Sequence, residues 1–319
     1  MTPLLLTGAG FTRNWGGWLA KEIEGDLLGR LRSDPYLRQR VQESNGFESV
    51  LEALQNEAAG GDSQEKRRYA HLQKVVAASF HAMNVALAKR IGFNFSNDRK
   101  YSVNAFLARF DAIYTLNQDL LLELHYDPSL EETRQPRWNG RYFPGIAGSA
   151  AWSGFKTDMV DRKRKVLEAT SATPGSQPIY KLHGSTDWED ESGDLFVVGG
   201  AKESFIQRKP LLMNYFADFA CRLRQPGARL MTIGYGFADP HVNLELVDAG
   251  RDNPSLEVFF VHPDGRDAIH HGVRAEDRVL PQYIPPLGYL SCVGESRRPL
   301  SATLGDDELE FDKLMRFFV

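Results

Sequence analysis

Three polar side chains that could perform positioning and acid–base chemistry follow predicted strands of this sequence. Asn117 and Asp119 lie in the segment Thr115-Leu-Asn-Gln-Asp119, and His183 follows the strand that ends at Leu182. An amide can orient a water molecule or a ribose hydroxyl, a carboxylate can accept from an amide of a ligand, and a neutral imidazole can act as a general base near pH 7. The structural alternatives are that Asn117 or Asp119 caps a helix and that His183 is a satisfied core residue.

Glycine-containing segments and a second histidine follow other predicted strands. The segments are Gly8-Ala9-Gly10-Phe11-Thr12 and Gly234-Tyr-Gly236-Phe-Ala-Asp239. Glycine lets a backbone approach a phosphate closely, but the first segment lacks the third glycine of the G-x-G-x-x-G motif, so a simple tight turn explains it equally well. Asp239 is placed to cap a helix beginning at Pro240, and His262 ends the last predicted strand and is a candidate to touch a ribose. Trp188 is either a core residue or a cover for a flat ring.

The elements that must position these side chains alternate between short apolar strands and amphipathic helices. Strands are predicted at residues 4–7, 111–116, 179–182, 195–198, 228–233 and 256–261, and helices at 211–224 and 239–250. This alternation predicts an α/β fold with a Rossmann-like, doubly wound, mostly parallel sheet. Ligands of such sheets bind at the carboxyl ends of the strands, so the polar and glycine signals are expected to form one site there.

The chain between the first two strands has a helical period instead. Apolar residues recur every three or four positions in stripes over residues 19–31, 47–54 and 69–91, and Asp62-Ser-Gln-Glu65 fits a capping box for the third helix. We predict that residues 18–110 are an inserted helical subdomain and that residues 1–17 and 111–319 form the Rossmann-like, ligand-binding domain. Residues 127–178, which are rich in proline, are predicted to be an irregular insertion with at most one helix.

Composition and charge exclude several other classes of protein. The 319 residues carry a formal net charge of −4, so no basic field indicates direct nucleic-acid binding. The two cysteines, Cys221 and Cys292, cannot form a four-cysteine zinc module, and we expect no bound metal. No apolar run has the length of a membrane span or a signal peptide. We therefore expect a cytoplasmic protein without a membrane partner.

The order of these motifs resembles that of the sirtuin (SIR2) superfamily, and more specifically the bacterial SIR2-like NADases of anti-phage defence systems. The resemblance is carried by Gly8–Thr12 with Gly16, Thr115–Asp119, Leu182-His-Gly184 and Gly234–Asp239. It implies that a nicotinamide dinucleotide, NAD⁺, binds in the crevice as the substrate.

The resemblance also implies roles for individual residues. Asn117 and His183 match the catalytic residues of the family, and Asp119 matches the residue that holds the nicotinamide carboxamide. The other implied contacts are to the pyrophosphate, from Gly8, Ala9, Gly10, Phe11 and Thr12, and to the adenosine half, from Gly234, Gly236 and His262.

Departures from the deacylating sirtuins narrow the expected activity. The four-cysteine zinc module is missing, Gly16-Gly-Trp-Leu-Ala20 replaces a Pro-x-Phe-Arg element, and Gly199-Gly-Ala-Lys-Glu203 replaces the peptide-binding Phe-Gly-Glu. The resemblance therefore implies hydrolysis of NAD⁺ to nicotinamide and ADP-ribose, with a cyclic ADP-ribose product left open. Two alternatives also stay open: an NAD-dependent protein deacylase or ADP-ribosyltransferase, and a non-catalytic sensor of a dinucleotide or ADP-ribose.

The activity of an NAD-depleting effector must be held off until it is needed, and the resemblance implies that other proteins provide this control. SIR2-like defence proteins work together with other proteins, such as HerA-type ATPases. The resemblance thus implies a homo-oligomer and a partner defence protein of that kind, with the helical residues 18–110 as an interaction surface.

Overall fold

The computed structural model describes residues 1–61, 63–130, 136–148, 155–167, 173–197, 199, 202–270 and 290–319. Its centre is a seven-stranded sheet in which each pair of neighbouring strands is parallel. In spatial order the strands are β10 (Ser291–Ser296), β9 (Glu257–Val261), β8 (Ala228–Ile233), β1 (Thr2–Thr7), β2 (Ala112–Thr115), β5 (Ser176–Lys181) and β3 (Gly140–Tyr142). The predicted α/β, Rossmann-like sheet is confirmed.

The direction of winding reverses between β1 and β8. From β1 the chain adds β2 on one side, whereas β8, β9 and β10 extend the sheet on the other side. Such a switch point opens a crevice at the carboxyl ends of the two central strands. Leu4, Leu5 and Leu6 of β1 are fully buried, as the continuous apolar run of a parallel strand covered on both faces requires.

Helices cover the sheet and fill the long connection between β1 and β2. That connection contains α1 (Ala9–Arg13), α2 (Ala20–Arg30), α3 (Pro35–Glu43), α4 (Phe47–Ala59), α5 (Ser63–Ala88) and α6 (Val103–Leu107). The remaining helices are α7 (Leu121–His125), α8 (Lys156–Val160), α9 (Lys202–Gln207), α10 (Pro210–Leu223), α11 (Pro240–Asp252), α12 (Leu300–Thr303) and α13 (Glu308–Met315). None of the helices in the described ranges is long and apolar enough to cross a membrane.

The apolar stripes predicted before β2 coincide with buried helix faces, with one exception. Phe47, Val50 and Leu54 of α4 are buried, as is Leu87 of α5, but Ile91 lies beyond the end of α5 and is fully exposed. Asp62 of the predicted capping box lies outside the described residues. The treatment of residues 18–110 as a separate subdomain stays a prediction.

A second, smaller sheet corrects two of the sequence predictions. It consists of β4 (Arg164–Lys165), β6 (Gly184–Asp190) and β7 (Gly193–Phe196), with β6 and β7 antiparallel. The predicted strand at 195–198 therefore belongs to a hairpin and not to the parallel sheet, because the short connection before Gly193 cannot make a parallel crossover. Residues 127–178 also contribute β3 and β4, so this segment is less irregular than its proline content indicates.

Candidate functional site

The glycine turn after β1 packs directly against the loop that follows β8. The amide of Gly10 donates to the carbonyl of Gly234 at 3.0 Å, and the amide of Gly8 donates to Ile233 at 3.0 Å. Gly234 has a φ of +62°, and a Cβ atom added there would lie 2.3 Å from the carbonyl carbon of Gly10. Two loops at the switch point thus need glycine in order to approach each other.

This contact changes how the first glycine motif can meet a ligand. The Gly10 amide is used inside the protein, and the amide of Phe11 donates to the carbonyl of Gly8 at 2.9 Å. Ala9 is exposed, whereas the Thr12 side chain is buried and points to the next strand end. The expected pyrophosphate contact at residues 8–12 stays a prediction, with fewer free amides than the motif alone indicates.

Thr12 connects the turn after β1 to the residues that follow β2. Its hydroxyl accepts from Nδ2 of Asn117 at 2.9 Å and donates to the carboxylate of Asp119. The backbone amide of Asn117 donates to the hydroxyl of Thr115 at 3.0 Å, and that hydroxyl accepts from Thr7 at 2.7 Å. The structure therefore brings the predicted residues Asn117, Asp119 and Thr12 together in one hydrogen-bond network.

A small polar cavity lies beside this network. It is lined by Phe11, Thr12, Thr115, Asn117, Asp119, Leu122, Glu123 and Lys181. Its volume is about 10 Å³, which is room for one water molecule. A nicotinamide ring needs far more space, so a ligand can occupy this point only after the surrounding loops move apart.

A buried ion pair between Lys181 and Glu123 forms part of the cavity wall. Lys181 Nζ, at the end of β5, contacts Glu123 Oε1 at 2.7 Å, the hydroxyl of Ser185 at 2.8 Å and the carbonyl of Asp119 at 2.5 Å. Glu123 Oε2 is buried without a hydrogen-bond partner. Burial raises the pKa of the Asp119 carboxyl, and the nearby Lys181 charge opposes that rise. Asp119 Oδ1 also accepts from the amide of Leu121, the first residue of α7, at 3.0 Å, although Leu120 is the N-cap of that helix.

His183 lies between β5 and β6, and β5 pairs with β2, the strand that precedes Asn117. Its side chain is 3% exposed, and its Nε2 atom lies 2.9 Å from Nε2 of His241. Burial lowers the pKa of His183 to about 3, while the negative charge of Asp239 acts in the opposite direction. The imidazole is therefore neutral at pH 7, as a general base must be.

Asp239 precedes α11 as predicted, but its side chain does not cap that helix. Helix α11 begins at Pro240, and no capping hydrogen bond is formed by Asp239. Its carboxylate instead accepts from Lys202 Nζ at 2.9 Å, and Lys202 also contacts Glu48 at 3.0 Å. A proline at the first helical position removes one free amide, which reduces the need for a cap.

The side chains around His183 include types that bind metal ions. One nitrogen or oxygen atom from each of His183, Asp239 and His241 lies within 4.8 Å of the others. The two imidazoles already hydrogen-bond to each other, and Lys202 places a positive charge on Asp239. The expectation of no bound metal stays a prediction.

The remaining predicted positions lie near the same sheet edge or in the core. Gly236 has open space where a side chain would be. Nδ1 of His262 accepts from the amide of Asp264 at 3.1 Å, which ties the ring into a local turn. Trp188 is fully buried and its ring packs edge-on against Tyr215, so it is a core residue and does not cover a ligand.

Residues 111–279, just over half of the chain, match the family model of the SIR2-like domain. The chain belongs to the SIR2-like family. The matched range includes Asn117, Asp119, His183 and the loop after β8, while the turn after β1 lies outside it.

Solved structures of SIR2 homologues resemble this SIR2-like chain only distantly. A SIR2 homologue in complex with NAD is 13% identical, with 99% of this chain and 90% of that chain covered and a TM-score of 0.43. A mutant Sir2 homologue in complex with ADP-ribose is 12% identical, with coverage of 99% and 92% and a TM-score of 0.41. No curated protein matches the sequence.

Sequence reasoning missed three side chains of this SIR2-like site. His241 looks like ordinary helix-start polarity, and Lys181 sits inside an apolar strand without a visible partner. Asn84 of α5 accepts from the amide of Leu120 at 2.9 Å and donates to Thr186 at 2.9 Å, which fixes the loop after Asp119. Lys181 was detectable in principle, because a lysine in a buried strand needs a counter-charge.

A larger groove is lined by none of the predicted site residues. It has a volume of about 490 Å³ and is lined by residues of α4, α5, α9 and the segment 194–197. Val197, at its edge, donates its amide to the carbonyl of His183 at 2.8 Å. The groove therefore borders the backbone of the site without including its polar side chains.

Proposed function

We propose that this SIR2-like protein is an NAD⁺ glycohydrolase that cleaves the bond between nicotinamide and ribose and releases nicotinamide and ADP-ribose. The observation that carries the proposal is the shared network of Asn117, Asp119 and Thr12 around a polar cavity at the carboxyl ends of β1, β2 and β5. His183 follows β5, which is the neighbour of the strand that precedes Asn117. An amide, a carboxylate and a neutral imidazole are the groups that this reaction needs.

The chemistry of NAD⁺ explains why so few groups suffice. The nicotinamide leaves as a neutral molecule from a cationic pyridinium, so the reaction needs no general acid. The site must hold the ring, support a positively charged ribose and deliver water. In this proposal Asp119 holds the carboxamide, Asn117 positions the water or the ribose hydroxyls, and His183 takes the proton that the water loses.

Cofactor contacts and product form belong to the same proposal. Gly8, Ala9, Gly10, Phe11 and Thr12 are proposed to lie at the pyrophosphate, and Gly234, Gly236 and His262 at the adenosine half. If the opened site excludes water after the bond breaks, an internal nucleophile of the substrate would give cyclic ADP-ribose instead.

The cellular role is proposed from the family resemblance described above. An NAD⁺ hydrolase that was always active would deplete the cell, and the cavity of about 10 Å³ beside Asn117 is consistent with a resting site that must open. We propose a cytoplasmic, NAD-depleting effector of anti-phage defence. Its control is proposed to come from self-assembly or from a partner such as a HerA-type ATPase.

The test is nicotinamide release from NAD⁺ by the purified chain, without any peptide and over a range of protein concentrations. We expect release by the wild type and a loss of about 10²-fold or more in Asn117→Ala and His183→Ala. His81→Ala, which removes an exposed histidine of α5, serves as the matched control. Circular dichroism of each variant checks that it folds.

Other outcomes favour the alternatives. Wild-type rates in both site variants would contradict the residue assignment. Release only after addition of an acyl-lysine peptide would favour a deacylase, although the chain has only two cysteines and cannot build the four-cysteine zinc module. Binding of NAD⁺ or ADP-ribose with no release at any concentration would favour the sensor.

A further inference from the structure

The contact between His183 and His241 is not explained by the proposed roles of Asn117, Asp119 and His183 alone. The two Nε2 atoms are 2.9 Å apart, and the two ring centroids are 5.1 Å apart. Two nitrogens at that distance share one proton, since one must donate and the other accept. His183 is buried at 3% exposure, whereas His241 is partly exposed at the start of α11.

We propose that His241 is a positioning residue for His183 and receives the proton that the reaction releases, an inference that rests on the proposed NAD⁺ hydrolysis. The pair forms a path from the buried imidazole to the partly exposed one. His241 touches no substrate in this proposal and acts only through His183.

The proton balance of the step follows from the engaged nitrogen. Because Nε2 of His183 faces His241, Nδ1 is the nitrogen that remains for the attacking water. As the oxygen of that water bonds to the ribose carbon, the bond to nicotinamide breaks and its electron pair leaves with the ring. The water proton goes to Nδ1 of His183, the proton on Nε2 of His183 passes to Nε2 of His241, and Nδ1 of His241 releases a proton to solvent.

The charges around the pair favour transfer in this direction. Asp239 faces both imidazoles and favours their protonated forms, Lys202 opposes this, and Glu203 acts on His241 alone and favours its protonated form. Burial lowers the pKa of both rings, and His183, the more deeply buried, falls to about 3. A proton on His183 is therefore unfavourable and moves outward to His241.

Packing also holds His241 in place for this exchange. The ring centroid of Phe216, from α10, lies 5.6 Å from the ring centroid of His241. Helix α11 begins at Pro240, which fixes the backbone one residue before His241. The second imidazole is thus held by two helices and not by a mobile side chain of a loop.

The first experiment measures the turnover of His241→Ala. We expect kcat for nicotinamide release to fall about 10²-fold, with KM within about threefold of the wild type, and added imidazole to restore part of kcat. His183→Ala is the reference for complete loss, and His81→Ala is the control for the removal of an exposed histidine. Unchanged kcat, or a loss that imidazole does not restore, would overturn the role of His241.

The second experiment does not depend on activity. Long-range ¹H–¹⁵N correlation spectra of the histidine-labelled protein report the protonation of each ring nitrogen. We expect the His183 nitrogen resonances to shift in His241→Ala, and in the wild type we expect a protonated Nε2 on His183. Unchanged His183 resonances would overturn the pairing. A wild type that releases no nicotinamide while its spectra show the pair would count against the proposed function and leave the pair standing.

Discussion

At the scale of single residues, the site depends on a buried ion pair that lies beside its cavity. Lys181 and Glu123 are almost completely inaccessible, and their contact of 2.7 Å places a positive charge under the backbone of Asp119. Removing two charges from water is costly, and hydrogen bonds to the remaining donors and acceptors of the pair offset part of that cost. Ser185 and the Asp119 carbonyl complete the bonds of Lys181, so the pair fixes the loop that carries Asp119.

We expect Lys181→Met to lower the free energy of unfolding by about 3–5 kcal/mol, because the buried carboxylate of Glu123 loses the lysine that pairs with it and keeps only the nearby charge of Arg141. The double variant Lys181→Met/Glu123→Leu should recover most of this loss, since both charges are then gone. Urea unfolding measures the free energies. Lys163→Met is the control: its partner Asp194 is half exposed, and the expected loss is at most about 1 kcal/mol. Equal losses in Lys181→Met and the double variant would show that the buried charge is not the cause.

At the scale of elements, the sequence predicts the positions of the central strands better than it predicts which segments contact each other in the folded protein. The apolar runs of β1, β8 and β9 identify buried parallel strands, and their carboxyl ends carry the predicted polar signals. The need for glycine at residue 234 arises instead from its contact with Gly10, which lies at the far end of the chain and becomes a neighbour only because β1 pairs with β8. Local sequence patterns contain no information on such a pairing.

The same limit applies to β10 and His241. The strand β10 reads Ser-Cys-Val-Gly-Glu-Ser, and as an edge strand it lacks the apolar run that identifies a central strand. His241 lies 58 residues after His183, and the two rings meet although β1 and β2 separate β5 from β8 in the sheet. Asn117 and Asp119 were predictable because the strand, the polar residues and the turn of the chain all lie within the short segment 112–120.

The contact between the two glycine loops predicts a specific loss of stability. Gly234→Ala would force a side chain into a left-handed conformation and place its Cβ 2.3 Å from the backbone of Gly10, so we expect a loss of about 3 kcal/mol or more. Gly148→Ala is the matched control, because Gly148 has a φ of +65° and open space around it, and conformational strain alone should cost about 1 kcal/mol. Thermal or urea unfolding compares the two. Similar losses at both positions would show that the loops do not need their close approach.

At the scale of the whole molecule, four segments far apart in the sequence meet at one edge of the sheet. They follow β1, β2, β5 and β8, which are neighbours in the sheet although other elements separate them in the chain. A ligand bound there therefore contacts segments as far apart in the sequence as residues 8–12 and 234–239. The groove lined by α4, α5, α9 and the segment 194–197 is the competing location, and it is larger in volume.

Hydrogen exchange with and without ADP-ribose distinguishes these two locations. ADP-ribose is not consumed, and a ligand that binds only the folded state slows the opening of the segments that hold it. We expect backbone amides in 8–12, 116–119, 182–185 and 234–239 to be protected together, with α13 unchanged as an internal control. Residues 11–12 and 116–119 should respond most, because Phe11, Thr12 and Asn117 line the small cavity that must widen before a ring can enter. Protection confined to residues 69–77 and 194–197 would place the nucleotide in the groove and refute the assignment of the switch point as its binding site.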